Sequence, residues 1–242
     1  MDTSPAISQG AIAAQERPAA TLIESLTDAL SLRDPATYTH CQRVASYALL
    51  LGRRLGLSPK NLPALQWAVV LHDIGTIHIP DRILRKASRL SEAECQVMKS
   101  HVITGYAMLS AIPSLTDTAD IVLAHHERYD GTGYPHRLEG TDIPLGARIC
   151  ALVDCLDALT SPDENIRRVF TFPEASRYIA SEGGTRFDPH VVDAFVSVPP
   201  EEWRHLQQSV SQPHSRDFRP SPVSEPVSNG HFDKPALKVI AC

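Results

Sequence analysis

The stretch Trp67-Ala68-Val69-Val70-Leu71-His72-Asp73-Ile74-Gly75 decides how this chain is read. An unbroken apolar run leads into an imidazole and a carboxylate. A run of this kind is buried, and an unpaired charge at its end would be costly. A metal ion bound there removes that cost. The arrangement recurs where Ile121, Val122 and Leu123 lead into His125-His126, and Asp154 follows Ala151-Leu152-Val153 and precedes Leu156. Three apolar segments thus carry groups able to bear charge, and no cation stands beside them. Lysine is scarce throughout, with five in the chain.

Outward from this stretch, apolar residues recur at intervals of three and four. They do so at Leu22, Ile23, Leu26, Ala29 and Leu30, at Val44, Tyr47, Ala48, Leu51 and Leu55, and at Leu65, Ala68, Val69 and Leu71. The spacing returns over 97–109, 121–126, 149–159, 175–179 and 191–196. These are helix stripes, and strand-like alternation is scarce, so the expected fold class is all-α. Ser58-Pro59, and Ser91 with Glu94 three residues on, predict helix starts. Gly52, Gly56, Gly75 and Gly105 predict turns or close approaches. Between Glu127 and Arg148 the periodicity gives way to Asp130-Gly131-Thr132-Gly133-Tyr134-Pro135, a loop with positive-φ turns. A loop of this length in a compact domain is usually functional. One helical domain over 21–198 is expected, with a flexible leader over 1–20. A mostly disordered Pro/Ser-rich tail is expected over 199–242, with one short helix near Trp203 to Leu206.

Composition narrows the function classes. With 242 residues, 43% hydrophobic and 21% charged, the chain is an ordinary globular protein. No apolar run approaches membrane-spanning length. Met1 to Gln15 lacks a basic flank followed by an apolar block, so a signal peptide is not expected and a cytoplasmic location is. Cys41, Cys95, Cys150, Cys155 and Cys242 form no paired spacing, as fits reduced thiols. A net charge of −5 without a basic cluster argues against duplex nucleic acid as a partner. Six of the 11 histidines fall between positions 40 and 126. Imidazoles and carboxylates without thiolates select iron, manganese, zinc or a similar ion. Asp73 beside His72 suits bridging two ions, the arrangement that hydrolyses phosphate esters by activating water and stabilising attacking and leaving oxygens.

His72-Asp73-Ile74-Gly75, then His125-His126-Glu127 with Asp130-Gly131-Thr132-Gly133-Tyr134-Pro135, resemble the signature of the HD-GYP domain, a branch of the HD phosphohydrolase superfamily. The resemblance covers Leu22 to Val198. It includes Thr37-Tyr38-Thr39-His40 with Arg43-Val44, Ile79-Pro80, Leu90-Ser91 with Glu94, His101 with Gly105, Ile143-Pro144-Leu145, Asp154 with Asp157-Ala158-Leu159-Thr160, and Phe187-Asp188-Pro189. It implies an all-helical, metal-dependent phosphodiesterase that hydrolyses cyclic di-GMP to pGpG and onward to GMP. Carried over by motif, the metal ligands are His40, His72, Asp73, His101, His125, His126 and Asp154.

Some members hold a third ion through a glutamate four residues before the first histidine. Ala36 stands there, so two divalent ions are expected, iron or manganese. His72, Asp73 and Thr76 are the expected catalytic residues, Thr76 standing where members usually carry a lysine that holds phosphate. Arg167 and Arg168 are the expected replacements for an Arg-Pro-Tyr-Arg segment that grips the ligand, with Tyr134 as a further substrate contact. Glu127 is expected to orient a ligand histidine. The loop of Asp130, Gly131, Gly133, Tyr134 and Pro135 implies contact with a diguanylate cyclase or another signalling protein, and a homodimer is a further expectation. Two alternatives stay open: a weakly catalytic regulatory or binding module, and a phosphohydrolase for another nucleotide or cyclic dinucleotide.

Overall fold

The computed structural model describes residues 35–86, 88–162 and 168–211, together with five helical residues between 21 and 27. The leader and most of the tail lie outside the described residues. From residue 35 on, ten helices follow one another among the described residues: α1 (Pro35–Arg54), α2 (Leu62–Leu71), α3 (Asp81–Leu84), α4 (Glu92–Lys99), α5 (His101–Ser110), α6 (Thr116–Ala124), α7 (Leu145–Thr160), α8 (Phe172–Ser181), α9 (Pro189–Val196) and α10 (Pro200–Ser211). Short 3-10 turns cover Ile74–His78, Pro113–Leu115 and Gly140–Asp142. No strand occurs among the described residues, which bears out the all-α expectation.

Helix α7 is the axis of the fold. Ile149, Cys150, Leu152, Val153, Cys155, Leu156 and Leu159 are all buried, so it is apolar on nearly every side, as a central helix must be. Its few polar positions are thereby placed inside the molecule, Asp154 and Asp157 among them. Against it pack α1, whose Val44, Tyr47, Ala48 and Leu51 are buried, and α6, whose Ile121 side chain occupies the space a Cβ on Gly146 would need. Helices α2 and α5 close around α6.

Three elements differ from the sequence pattern. The stripe over 97–109 breaks at Ser100, although its periodicity runs through. Ser100 Oγ donates to the Val97 carbonyl at 2.7 Å and the His101 ring to the Met98 carbonyl at 2.8 Å, so side chains satisfy carbonyls that a continuing helix would use. Ser58-Pro59 heads a turn, the Ser58 carbonyl accepting from Asn61, and the helix starts only at Leu62 with Pro63 in its first turn. The short helix expected near Trp203 runs the length of α10 and packs on α1. Trp203 is buried, edge-on to Tyr47 with ring centres 5.7 Å apart and 5.1 Å from Phe195. Ser91 and Glu94 do form the expected capping box at the start of α4.

Candidate metal centre

The site is built from helix ends. His72 and Asp73 follow α2, His101 opens α5, His125 and His126 follow α6, and Asp154 projects from α7 with its Oδ1 3.4 Å from Nε2 of His40 on α1. Most of the histidines are aimed by one device. Nδ1 of His72 lies 2.8 Å from the Val69 carbonyl, that of His101 2.8 Å from Met98, and that of His125 2.7 Å from Val122. A carbonyl can only accept, so Nδ1 carries the proton and Nε2 turns a lone pair inward. For His40 the partner is a carboxylate: its Nδ1 is 2.8 Å from Asp157, whose two oxygens also accept from Arg43, each at 2.7 Å.

The potential ligand atoms fall into two groups. Those of Asp73, His101, His125 and His126 lie within 4.8 Å of one another, and so do those of His40, His72 and Asp154. Asp73 reaches both. Its Oδ1 is 3.3 Å from His101 Nε2 and 4.0 Å from His125 Nε2, while its Oδ2 is 3.3 Å from His72 Nε2. Asp73 Oδ1 and the Nε2 atoms of His101, His125 and His126 are buried without a hydrogen-bond partner. Buried polar atoms rarely go unpaired, and four of them facing one another share a use only for a cation. Oxygen and imidazole donors without a thiolate suit a borderline divalent ion. The residues present therefore fit a bound metal.

The electrostatics agree. Burial works against a charged Asp73, yet the rings of His72, His101 and His125 hold its carboxyl well below the usual range. Burial likewise opposes a charge on His72, but Asp73 and Asp154 overcome it and raise that imidazole to about 10. The pull that would place a proton on His72 is the pull that would hold an ion. His125 is pushed down to about 3 by burial and by the neighbouring His72, and so stays a neutral donor.

Gly75 explains the close meeting of the first two ligand segments. A Cβ there would lie 2.0 Å from the His101 carbonyl oxygen and 2.7 Å from the Gly105 nitrogen. No other residue lets the turn after Asp73 rest on the start of α5.

Beside this cluster opens a cleft of about 760 Å³, walled by the α4–α5 junction, the 127–137 loop and α7, with Lys99, Arg137 and Arg186 in its lining. Sequence reasoning missed these three. The signal for Lys99 was its place two residues before His101.

Other expected residues are placed differently. The Thr76 hydroxyl donates to the Asp73 carbonyl at 2.7 Å, so it fastens the turn that presents Asp73 rather than offering a donor to a ligand. Arg168 pairs with the Glu174 carboxylate and lies over the Phe170 ring, and it is not part of the cleft wall. Arg167 lies outside the described residues, and so does the Ala36 side chain. Glu127 does not hydrogen-bond a histidine ring among the described residues: its buried carboxylate accepts from the backbone nitrogens of His136 at 2.7 Å and Leu138 at 3.2 Å. The carboxylate that does orient a histidine is Asp157, which adjacency to His125-His126 could not reveal. In the loop, Asp130 accepts from Arg128 and Thr132, Gly131 has φ 73°, and Pro135 follows Tyr134 in a cis bond.

The HD domain family matches residues 24–191. This chain belongs to the HD domain family. The resemblance read from the sequence is thereby borne out. Among curated relatives of this HD domain, the cyclic di-GMP phosphodiesterase response regulator RpfG of Xanthomonas campestris is 41% identical over 184 residues, covering 75% of this chain and 48% of the relative. The 3'3'-cGAMP-specific phosphodiesterase 2 of Vibrio cholerae is 33% identical over 184 residues, covering 75% of this chain and 34% of the relative. The chain thus spans about half the length of the first and a third of the second. A crystal structure of a cyclic GMP-AMP specific phosphodiesterase of V. cholerae shares the fold, with a TM-score of 0.56, 22% identity, and coverage of 78% of this chain and 52% of that one.

Proposed function

We propose that this HD domain is a metal-dependent phosphodiesterase that opens cyclic di-GMP to pGpG and onward to GMP, working with two divalent ions, iron or manganese, in cytoplasmic second-messenger signalling. The observation that carries the reading is Asp73, whose two carboxylate oxygens face two separate groups of ligand atoms. The 41% identity to RpfG supports cyclic di-GMP as the substrate.

His40, His72 and Asp154 would hold one ion, His101, His125 and His126 the other, with Asp73 between them. Ions held there would supply Lewis-acid activation of water and neutralise charge on the phosphodiester. The chain's own residues do the rest. Asp157 and Arg43 fix the His40 ring, and Gly75 with the Thr76 hydroxyl fixes the turn that carries Asp73. Lys99, Arg137 and Arg186 bring positive charge to a cleft whose volume suits a small anionic ligand. They would take the phosphate-holding role that the resemblance implied for Arg168, which pairs with Glu174 instead.

The test is an anaerobic preparation of the full chain, loaded with Mn(II) or Fe(II) and given cyclic di-GMP, with products separated by chromatography and bound metal counted. Metal-loaded protein that forms neither pGpG nor GMP overturns the proposal. The V. cholerae relative at 33% identity favours a second reading, hydrolysis of 3'3'-cGAMP, which offers the same phosphodiester with one different base. Both substrates in one assay separate the two. Binding of cyclic di-GMP without turnover would instead favour the regulatory module, acting through the 127–137 loop on a diguanylate cyclase or another signalling protein. Sedimentation of the same preparation tests the homodimer.

A further inference from the structure

Hydrogen bonds from Nδ1 orient His40, His72, His101 and His125. His126 has no such bond among the described residues. Its Nε2 is nevertheless buried in the same group of ligand atoms. Something else must fix this ring, because an imidazole free to turn would lose its place among the ligands.

Aromatic contacts surround it. Tyr134 stacks on the His126 ring with centres 4.9 Å apart and planes 25° from parallel, while the His125 and His101 rings stand 4.0 Å and 5.1 Å away. Parallel, offset rings at this distance attract and restrict one another. Tyr134 is itself held. Its backbone nitrogen donates to the His126 carbonyl at 3.3 Å, and the following turn is pinned by Glu127 through His136 and Leu138. One residue earlier the loop presses against the backbone, where a Cβ on Gly133 would lie 2.5 Å from Glu127 Cα and 2.3 Å from Arg128 N. Lys99 adds an ammonium 5.1 Å from the Tyr134 ring centre.

We propose that Tyr134 is a positioning residue for His126, its ring replacing the Nδ1 hydrogen bond that orients the other four histidines, with Glu127 holding the loop that delivers it. The inference rests on His126 being a metal ligand, and it makes the 127–138 loop part of the metal centre's support. The aromatic face, which Tyr134→Phe keeps, carries this role.

Tyr134→Phe, Tyr134→Leu, Tyr134→Ala and His126→Ala in the full chain test this by competitive Mn(II) titration, with melting in chelator as the measure of fold. Loss of an outer support of a metal ligand costs about 10- to 100-fold in affinity. Tyr134→Phe is expected to bind as the wild type does, and Tyr134→Leu and Tyr134→Ala to lose that factor at one of the bound ions. Should Tyr134→Ala fail to fold, Tyr134→Leu carries the same comparison. Wild-type affinity in Tyr134→Leu, or a loss in Tyr134→Phe equal to that in Tyr134→Leu, overturns the inference. Unchanged binding in His126→Ala overturns the ligand reading beneath it, which separates the two failures.

Discussion

Nε2 of His101 stands 3.3 Å from Oδ1 of Asp73, and neither atom has a hydrogen-bond partner. With the His101 proton directed at the Met98 carbonyl, both facing atoms are acceptors. A metal ion or a second proton must lie between them. Replacing Asp73 by Asn supplies an N–H in place of one oxygen. The same change removes the charge that raises the His72 imidazole to about 10, a loss that exceeds the single hydrogen bond gained. Asp73→Asn is therefore expected to melt below the wild type in chelator at neutral pH and to lose the rise that Mn(II) gives the wild type. A variant that melts at or above the wild type in chelator, or that keeps the full metal-induced rise, contradicts the reading.

Gly75→Ala is expected to damage fold and site together. The added Cβ would meet two backbone atoms, which cannot swing aside as a flexible side chain would. Overpacking of this kind costs about 1–3 kcal/mol or more. Denaturant titration measures the loss, and metal counting of the folded fraction shows whether His101 and Asp73 have separated.

Asp157 is buried and Arg43 half-buried, and breakage of the pair is asymmetric. Arg43→Ala leaves the Asp157 carboxylate with His40 and Ser161 as its remaining side-chain partners, and breaking such a pair costs about 3–5 kcal/mol. Asp157→Asn removes the carboxylate that orients His40, with an expected fall of about 10- to 100-fold in affinity for the ion held with His72 and Asp154. Urea melts report the first and metal titration the second. A wild-type affinity in Asp157→Asn would show that His40 needs no such support.

Trp203→Ala tests whether α10 belongs to the folded unit. Truncating a buried tryptophan costs about 3–5 kcal/mol, and here the cavity would open between Tyr47 and Phe195. A melting temperature within a degree of the wild type would place α10 outside the cooperative unit.

Much of this was legible because chemistry and burial coincide locally. His72-Asp73 and His125-His126 each end an apolar stripe, so the sequence itself shows a costly polar group in an apolar setting. Asp154 is legible for the same reason. What escaped was side-chain direction. Glu127 adjoins His126 yet turns its carboxylate to the loop backbone, and Arg168 pairs with Glu174 six residues on. Ser100 interrupts a stripe whose periodicity continues unbroken, because carbonyl competition leaves no trace in apolar spacing. Helix α10 was shortened in the reading because prolines on both sides masked the packing of Trp203.

Gln207 on α10 donates to Ser161 Oγ at 3.2 Å, Ser161 donates to Asp157 at 3.1 Å, and Asp157 holds His40. The family match stops at residue 191, sixteen positions short of the first link in this relay. An expression boundary drawn where the family ends would therefore cut away the outermost anchor of the His40 ring. Fragments meant to report on the metal centre should run through residue 211, the end of α10.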